Sequence, residues 1–212
     1  MKLYSYYRSS TSYRVRIALN LKGCTYEQHP VHLGRGEQGS AEYQCINPQG
    51  MVPALDHNGR ILTQSLAIID YLDEIYPDPA LLPMDPEGRA RVRMLAHIIA
   101  MDIHPIDNLP VLKYLTHEFG ISEDQKLAWY RHWVSKGFTA FEAHLASSPD
   151  TGSYCHGDTP SLADICLVPQ VYNAKRFDCD LSPFPTLMRV AETARAHPAF
   201  QLAHPSQQAD SE

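Results

Sequence analysis

The chain has 212 residues, of which 44% are hydrophobic and 20% are charged, and its formal net charge is -6 at pH 7. This composition is typical of a globular protein with one large or two small domains, and the negative charge argues against a dedicated nucleic-acid-binding protein. No apolar run reaches the roughly 18 residues needed to span a bilayer. We therefore expect a cytoplasmic protein with neither nucleic acid nor a membrane as a partner.

The cysteines and histidines do not form recognisable clusters. The five cysteines are widely spaced and contain no C-x-x-C pair, which indicates reduced thiols. Among the histidines, His29 and His32 lie close together, but on a strand their spacing directs the two side chains to opposite faces. We therefore predict no metal site.

The first predicted elements are a strand over residues 2–7 and a helix that Gly23 ends as a C-terminal cap. A run of hydroxyl residues, Ser9-Ser10-Thr11-Ser12, lies between them. Such a junction exposes backbone amides at the positive end of the helix dipole, and nearby arginines add charge, so it favours an anion. The alternative is that Thr11 or Ser12 only caps the helix.

A second strand is predicted over residues 25–31, and a glycine-rich segment at 34–39 is expected to be a mobile loop that could serve as a lid. A turn at residues 47–50 then leads into a hairpin, whose Asn58-Gly59 pair is typical of a type I' turn. We expect a cis peptide bond before Pro53, where the first hairpin strand begins.

Ser65 is predicted to cap the next helix, which ends before Pro77. The order of strands and helices up to this point predicts an α/β domain over residues 1–79. A proline-rich segment follows, and every element predicted after it is a helix. We therefore place a second, all-helical domain at residues 85–212.

The first helix of the second domain is predicted from residue 87 to about residue 104, where Pro105 disturbs it. Two capping boxes, which begin at Ser122 and Ser161, start later helices. The remaining predicted elements are a helix over residues 184–196 and a polar tail over residues 207–212 that we expect to fray.

The α/β order resembles the thioredoxin fold, but the first strand-to-helix turn carries hydroxyls instead of C-x-x-C, so a reacting thiol must arrive with a ligand. With the linker and the helical second half, the pattern resembles the cytosolic glutathione S-transferases over essentially the whole chain. The likeness to their zeta class rests on SSTSYRVRIAL at 9–19, NPQGMVP at 47–53, QS at 64–65 and YNAKRF at 172–177. Thr11 and Tyr13 depart from the class, which commonly has Cys and Trp there.

The resemblance implies glutathione as the cofactor. It implies that Gln64 and Ser65 hold the γ-glutamyl carboxylate, that the backbone of Val52 pairs with the cysteinyl part, and that a hydroxyl faces the sulfur. The hydroxyl candidates are Ser9, Ser10 and Thr11. Further candidates around the tripeptide or the co-substrate are Gln38, Asp102, His104 and Asn108.

The reaction implied by the resemblance is the cis-trans isomerisation of maleylpyruvate or maleylacetoacetate in aromatic-compound catabolism. The thiolate would add to the cis double bond, the new single bond would rotate, and elimination would release the trans product. Ser9 and Ser10 are the candidates that stabilise the thiolate. Arg8 and Arg176 are the candidates that bind the carboxylates of this small dicarboxylate keto acid, because a guanidinium grips a carboxylate through two hydrogen bonds.

Two alternatives share this fold. One is a detoxifying transferase that conjugates glutathione to electrophiles, and the other is a binding module without catalytic activity. For Arg176 itself, the alternative is a surface arginine near the end of its helix. The resemblance also implies a homodimer.

Overall fold

The computed structural model describes residues 1–212, and the chain forms two compact units. The first unit comprises Met1–Ala80 together with Ala196–Glu212, and the second comprises Leu81–Arg195. Residues 196–212 therefore belong with the α/β unit and not with the helical domain in which the sequence placed them. No helix is both long and apolar enough to cross a membrane.

The elements follow the order strand, helix, strand, helix, hairpin, with helices from there on. The strands are β1 (Lys2–Ser5), β2 (Glu27–Pro30), β3 (Ala54–His57) and β4 (Arg60–Thr63). The helices are α1 (Ser10–Leu21), α2 (Ala41–Ile46), α3 (Ser65–Ile75), α4 (Pro86–His97), α5 (His104–Asp107), α6 (Leu109–Glu118), α7 (Glu123–Ala146), α8 (Leu162–Arg176), α9 (Pro185–Ala196) and α10 (Pro198–Ala203).

The four strands form one mixed sheet in the order β2-β1-β3-β4. Strand β1 pairs in parallel with β2 and antiparallel with β3, and β3 pairs antiparallel with β4. Both Asn58 and Gly59 have positive φ angles, 57° and 82°, which confirms the predicted type I' turn. This register places the end of β1, the start of β3 and the end of β4 at the same edge of the sheet, so the loops attached there lie together.

The glycine-rich segment at 34–39 differs from the expected loop. It forms two short 3₁₀ turns, Leu33–Arg35 and Glu37–Gly39, and the unpredicted helix α2 follows them. The imidazole of His32 accepts a hydrogen bond from the amide of Arg35 at 3.1 Å, and the carboxylate of Glu37 accepts one from the amide of His32 at 2.7 Å. These local side-chain bonds replace the hydrogen bonds that a strand or a long helix would supply.

The C-terminal segment packs against α1. The side chains of Arg16 and Asn20 donate hydrogen bonds to the carbonyls of Ala203 at 3.1 Å and Ala199 at 2.9 Å. The tail at 207–212, which we expected to fray, instead makes hydrogen bonds to Tyr7, Gln28 and Arg35 of the same unit. Its acidic side chains find partners that are distant in sequence, so the sequence of the tail alone could not reveal them.

In the second unit, the core is formed by aromatic and aliphatic side chains of α7 and α8, as the helical spacing predicted. Phe138 and Phe141 of α7 and Ile165 of α8 are fully buried. Both predicted capping boxes are present. In the second box the buried carboxylate of Asp164 accepts hydrogen bonds from the amide and the hydroxyl of Ser161, at 2.9 and 2.7 Å. Each box satisfies backbone amides at the start of its helix.

Candidate functional site

The run of hydroxyls lies at the junction of β1 and α1. The N-cap of α1 is Ser9, whose Oγ accepts a hydrogen bond from the amide of Ser12 at 3.2 Å. The helix is therefore capped by a residue of the run, but by Ser9 and not by the expected Thr11 or Ser12. Ser10 and Ser12 are buried, whereas Ser9 and Thr11 are half-buried. Of the two serines predicted to be catalytic, only Ser9 presents its hydroxyl at the surface of this junction.

The hydrogen bonds of Ser9 and Thr11 have a definite direction. The hydroxyl of Thr11 donates to the carbonyl of Val52 at 2.9 Å, and Ser9 Oγ lies 2.9 Å from Thr11 Oγ1. A hydroxyl carries one hydrogen, so Thr11 has none left for Ser9, and Ser9 must be the donor in the bond between them. The Ser9 hydroxyl can rotate toward another acceptor without breaking the bond from Thr11 to Val52.

Val52 connects this junction to the start of β3. The bond between Val52 and Pro53 is cis, as predicted. The carbonyl of the preceding residue, Met51, accepts hydrogen bonds from the hydroxyl of Tyr43 and the side-chain amide of Asn47, both at 2.7 Å. These bonds fix the backbone that precedes β3 at the same edge of the sheet as Ser9.

Gln64 and Ser65 form the third part of this edge. Helix α3 begins at Ser65, but its N-cap is Gln64, with φ 69° and no side-chain bond to the helix amides, so the expected cap by Ser65 is wrong. A positive φ at a residue other than glycine is a strained conformation that is common at functional sites. The side chain of Gln64 donates to Gln49 Oε1 at 2.8 Å.

A buried arginine, which the sequence analysis did not assign to this pair, contacts Ser65. Arg14 lies on α1, is 1% exposed, and its Nη1 donates to Ser65 Oγ at 3.4 Å. It therefore places positive charge beside the uncapped start of α3, where backbone amides already favour an anion. A charged residue within an apolar helical stretch was the signal in the sequence that could have identified it.

Gln38 lies in the second 3₁₀ turn. Its Oε1 is buried without a hydrogen-bond partner. Its backbone carbonyl borders Gly50, where an added Cβ would come within 3.0 Å of that oxygen. An unpaired buried oxygen is costly, so this amide is suited to a donor that a ligand supplies.

Arg8 is exposed, and its guanidinium lies 4.9 Å from the ring centroid of Tyr7. It forms no salt bridge, so its charge is available to an anion. Within the first unit, the structure thus brings together the loops that carry Arg8, Ser9, Thr11, Val52, Gln64 and Ser65 at one edge of the sheet.

Three predicted residues of the second unit, Asp102, His104 and Asn108, lie within or just after an irregular helical segment. Residues Ile98–Ile103 form a π-helix directly before α5, which confirms the predicted disturbance of the helix. Asp102 is exposed within this π-helix, and His104 is half-buried at the start of α5. Asn108 caps α6, since its Oδ1 accepts from the amide of Val111 at 3.1 Å. A π-helical turn inside a longer helix frequently marks a functional position.

Asp107, which the sequence analysis did not select, is the last residue of α5 and is 6% exposed. Neither oxygen of its carboxyl group has a hydrogen-bond partner. Burial without compensating bonds disfavours the charged form and raises the pKa of Asp107 to about 8. The carboxyl group of Asp107, beside Asn108, therefore keeps its proton to a higher pH than an ordinary aspartic acid does.

Arg176 is the last residue of α8 and is exposed. Its guanidinium lies 5.8 and 5.6 Å from the ring centroids of Tyr172 and Phe177, and its Nη1 donates to Asn173 Oδ1 at 3.2 Å. No carboxylate of the chain pairs with it. The rings and the amide orient the guanidinium while leaving its charge available to a carboxylate ligand.

Comparison with known proteins gives matches along most of the chain. The family model for the glutathione S-transferase N-terminal domain matches residues 3–80, and the model for the C-terminal domain matches residues 134–200. The chain is 52% identical over 210 residues to a probable maleylacetoacetate isomerase of Vibrio cholerae, which covers 98% of this chain and 97% of that protein. It is also 52% identical to a maleylpyruvate isomerase of Ralstonia sp., with full coverage of both chains.

Solved structures show the same likeness. The holo structure of a maleylpyruvate isomerase, described as a bacterial glutathione S-transferase of the zeta class, superposes with a TM-score of 0.99 at 51% identity and covers 100% of both chains. A maleylacetoacetate isomerase from Methylobacterium extorquens, solved with bound malonate and GSH, has a TM-score of 0.97 at 40% identity, again with full coverage of both.

Proposed function

Because the chain belongs to the zeta class of the glutathione S-transferase family, we propose that it is a glutathione-dependent isomerase that converts maleylpyruvate or maleylacetoacetate from cis to trans. The observation that carries the proposal is the identity of about half of all residues, over the full chain, with proteins named for this reaction. The maleyl keto acids are intermediates of aromatic-compound breakdown, which would be the metabolic context.

The polar groups of the first unit suit glutathione. The tripeptide carries two carboxylates, amide groups and a thiol. The edge of the sheet offers the positive start of α3 beside Arg14, the backbone of Val52 and the hydroxyl of Ser9, and the second 3₁₀ turn offers the unpaired Oε1 of Gln38. We assign the γ-glutamyl carboxylate to Gln64 and Ser65. Ser10 and Thr11 are assigned to the surroundings of the sulfur, and Asp102, His104 and Asn108 to the tripeptide or the co-substrate.

When bound, glutathione supplies a soft thiolate that adds reversibly to the cis double bond and so allows rotation. A free thiol with a pKa of ~8.5 is only slightly ionised at pH 7, so the protein must stabilise the charged form. Lowering that pKa by ~2 units requires roughly 2.7 kcal/mol. A hydrogen bond from Ser9 to the anion, at about 1.5 to 3 kcal/mol, and the start of α1, at up to ~1 kcal/mol, are sufficient.

The substrate needs cations for its carboxylates and for the negative charge that develops on its keto group. Arg8 of the first unit and Arg176 of the second are exposed guanidinium groups that have no carboxylate partner in the chain. We assign them to substrate binding, with Arg176 in the larger role because its rings and amide already orient it. A relative solved with bound GSH and malonate, a small dicarboxylate, supports a dicarboxylate as the class of substrate.

The experiment that tests the proposal follows the absorbance of each maleyl keto acid with and without glutathione. We expect rapid isomerisation that requires glutathione, proceeds for many turnovers per tripeptide and leaves the free thiol concentration unchanged. S-methylglutathione, which lacks the thiol, should not replace it. A conjugating transferase would instead consume one thiol per substrate, and equal rates without the tripeptide would overturn the proposal.

Replacing Ser9 by Ala is expected to raise the pKa of the bound thiol by about 1 to 2 units, because one charge-assisted hydrogen bond of about 1.5 to 3 kcal/mol is lost. Titration of the thiolate absorbance in the complex measures this shift. Ser9 is also an N-cap, so Ser40→Ala is the matched control: Ser40 caps α2 through the amide of Tyr43. The control should lose stability without moving the thiol pKa, and an unmoved titration in Ser9→Ala would remove Ser9 from this role.

We further propose that the protein acts in the cytoplasm and forms a homodimer, as membership of the family suggests. Light scattering coupled to size-exclusion chromatography measures the oligomeric state directly. A single species with the mass of one chain at micromolar concentration would contradict the dimer.

A further inference from the structure

The carboxylate of Asp210 reaches the loop that carries Ser9. Its Oδ2 accepts a hydrogen bond from the backbone amide of Tyr7 at 3.0 Å, and its Oδ1 accepts one from Gln28 Nε2 at 3.2 Å. Tyr7 is 2% exposed and lies beyond the end of β1, so no strand pairs with its amide. An unpaired buried amide is costly, and a carboxylate is its strongest common acceptor.

The carbonyls of the same loop are also tied to the C-terminal segment, through Arg16. Its guanidinium donates to the carbonyls of Tyr6 at 3.4 Å and Tyr7 at 3.0 Å, while its Nε donates to the carbonyl of Ala203 at 3.1 Å. The amide of Ser9 in turn donates to the carbonyl of Tyr6 at 3.0 Å. The amide of Tyr7 is therefore held directly by Asp210. The carbonyls of Tyr6 and Tyr7 are held by Arg16, which is itself bonded to Ala203.

A second contact attaches the tail to the turn before Gln38. Glu212 Oε1 lies 3.2 Å from His32 Nε2 and 3.0 Å from Arg35 Nη2. Glu212 and Arg35 are largely exposed at this contact, and an ion pair in water contributes little. Asp210 is the stronger attachment because its partner amide is buried.

We propose that Asp210 is a positioning residue, whose carboxylate holds the Tyr7–Ser9 backbone in the conformation that presents the Ser9 hydroxyl to the thiol of glutathione. The inference rests on the proposed function. It adds that residues 203–212 act as a strap across the first unit, which keeps the thiol-stabilising loop in place from the far end of the chain.

The test compares Asp210→Ala with two matched variants. Asp210→Asn keeps one acceptor oxygen for the Tyr7 amide, and Glu212→Ala removes a tail carboxylate that does not touch the loop. We expect Asp210→Ala to raise the bound-thiol pKa by about half a unit or more and to lower kcat/KM about fivefold or more, since an unsatisfied buried amide shifts the loop to other conformations. Asp210→Asn and Glu212→Ala should remain within about twofold of the wild type.

Calorimetry with S-methylglutathione separates positioning from general damage. This ligand has no ionisable thiol, and its expected contacts at Gln64 and Ser65 make no hydrogen bond to Asp210 or to the Tyr7–Ser9 loop, so its affinity should be unchanged in Asp210→Ala. A chain that ends at Ala209 should reproduce the Asp210→Ala results.

Two outcomes would overturn the inference. One is an unchanged thiol pKa in Asp210→Ala. The other is a loss of kcat/KM in both Asp210→Asn and Glu212→Ala that equals the loss in Asp210→Ala. A wild-type protein without isomerase activity would instead contradict the proposed reaction, while the thiol titration would still test Asp210.

Discussion

Replacing Arg176 by Ala is expected to lower turnover of the maleyl keto acid about 10²- to 10³-fold while glutathione affinity stays within about twofold. Removal of a single preoriented donor from a developing negative charge typically has an effect of this size. The guanidinium of Arg176 is held by Asn173 and by the rings of Tyr172 and Phe177, so it is already oriented before substrate binds. Steady-state kinetics and calorimetry with glutathione measure the two quantities separately.

Two further variants make this result interpretable. Arg176→Lys keeps the charge but loses the planar pair of donors, so its activity should lie between those of Ala and the wild type. Arg195→Ala is the matched control, because Arg195 is an exposed arginine of the same unit that is already paired with Glu192. Its rate should be within about threefold of the wild type. A rate for Arg176→Ala within that same range would exclude Arg176 from the site.

Replacing Asp107 by Asn is expected to make the protein progressively more stable than the wild type as the pH rises from about 5 to about 8. Burial raises the pKa of Asp107 to about 8, whereas an Asp in the unfolded chain titrates near 3.9. Between these values the folded state holds the proton and the unfolded state does not. The free energy of unfolding of the wild type therefore falls with pH, by up to about 1.4 kcal/mol per unit from this group.

The Asn side chain cannot titrate, so the variant lacks this contribution. Over the roughly 3 pH units from about 5 to about 8 this contribution changes by up to about 4 kcal/mol, and it is constant above about pH 8. Urea unfolding between pH 5 and pH 9 measures the difference.

The groups that surround Asp107 include Tyr130 of α7 and Cys179 after α8. Burial raises the pKa of Tyr130 well above its usual range and raises the pKa of Cys179 to about 11. Neither titrates below pH 8, so they do not mask the effect. The matched control is Asp158→Asn, because hydrogen bonds from Ser153 lower the pKa of this exposed carboxyl. Its stability should differ from the wild type by a constant amount over the same range, and parallel curves for Asp107→Asn would contradict the prediction.

Much of the fold was predictable from the sequence because its signals are local. A capping box, a type I' turn or a proline-terminated helix depends on residues within about four positions, and those at Ser122, Ser161 and Asn58-Gly59 all form as predicted. The same locality explains the errors. Ser65 has the composition of a cap, but the strained backbone of Gln64 occupies that position, and the glycine-rich segment at 34–39 becomes ordered turns through His32 and Glu37.

The candidate site was predictable in part, because its motif residues are consecutive or near neighbours. The roles assigned to Ser9, Val52, Gln64 and Ser65 are still predictions, but the structure brings their loops to one edge of the sheet. The contacts of Arg14 with Ser65 and of Gln49 with Gln64 were missed. Neither contact has a sequence spacing that would indicate it, since each joins separate elements.

The sequence by itself determined the class of fold, the position of the hydroxyl run at a helix start, and the absence of a sulfur there. Only the tertiary structure decided which hydroxyl caps α1, that Asp107 is buried without a partner, and that Asp210 holds the amide of Tyr7. The physical reason is distance along the chain: propensities and caps act between neighbours, whereas burial and long-range hydrogen bonds exist only once the folded chain has brought remote segments together.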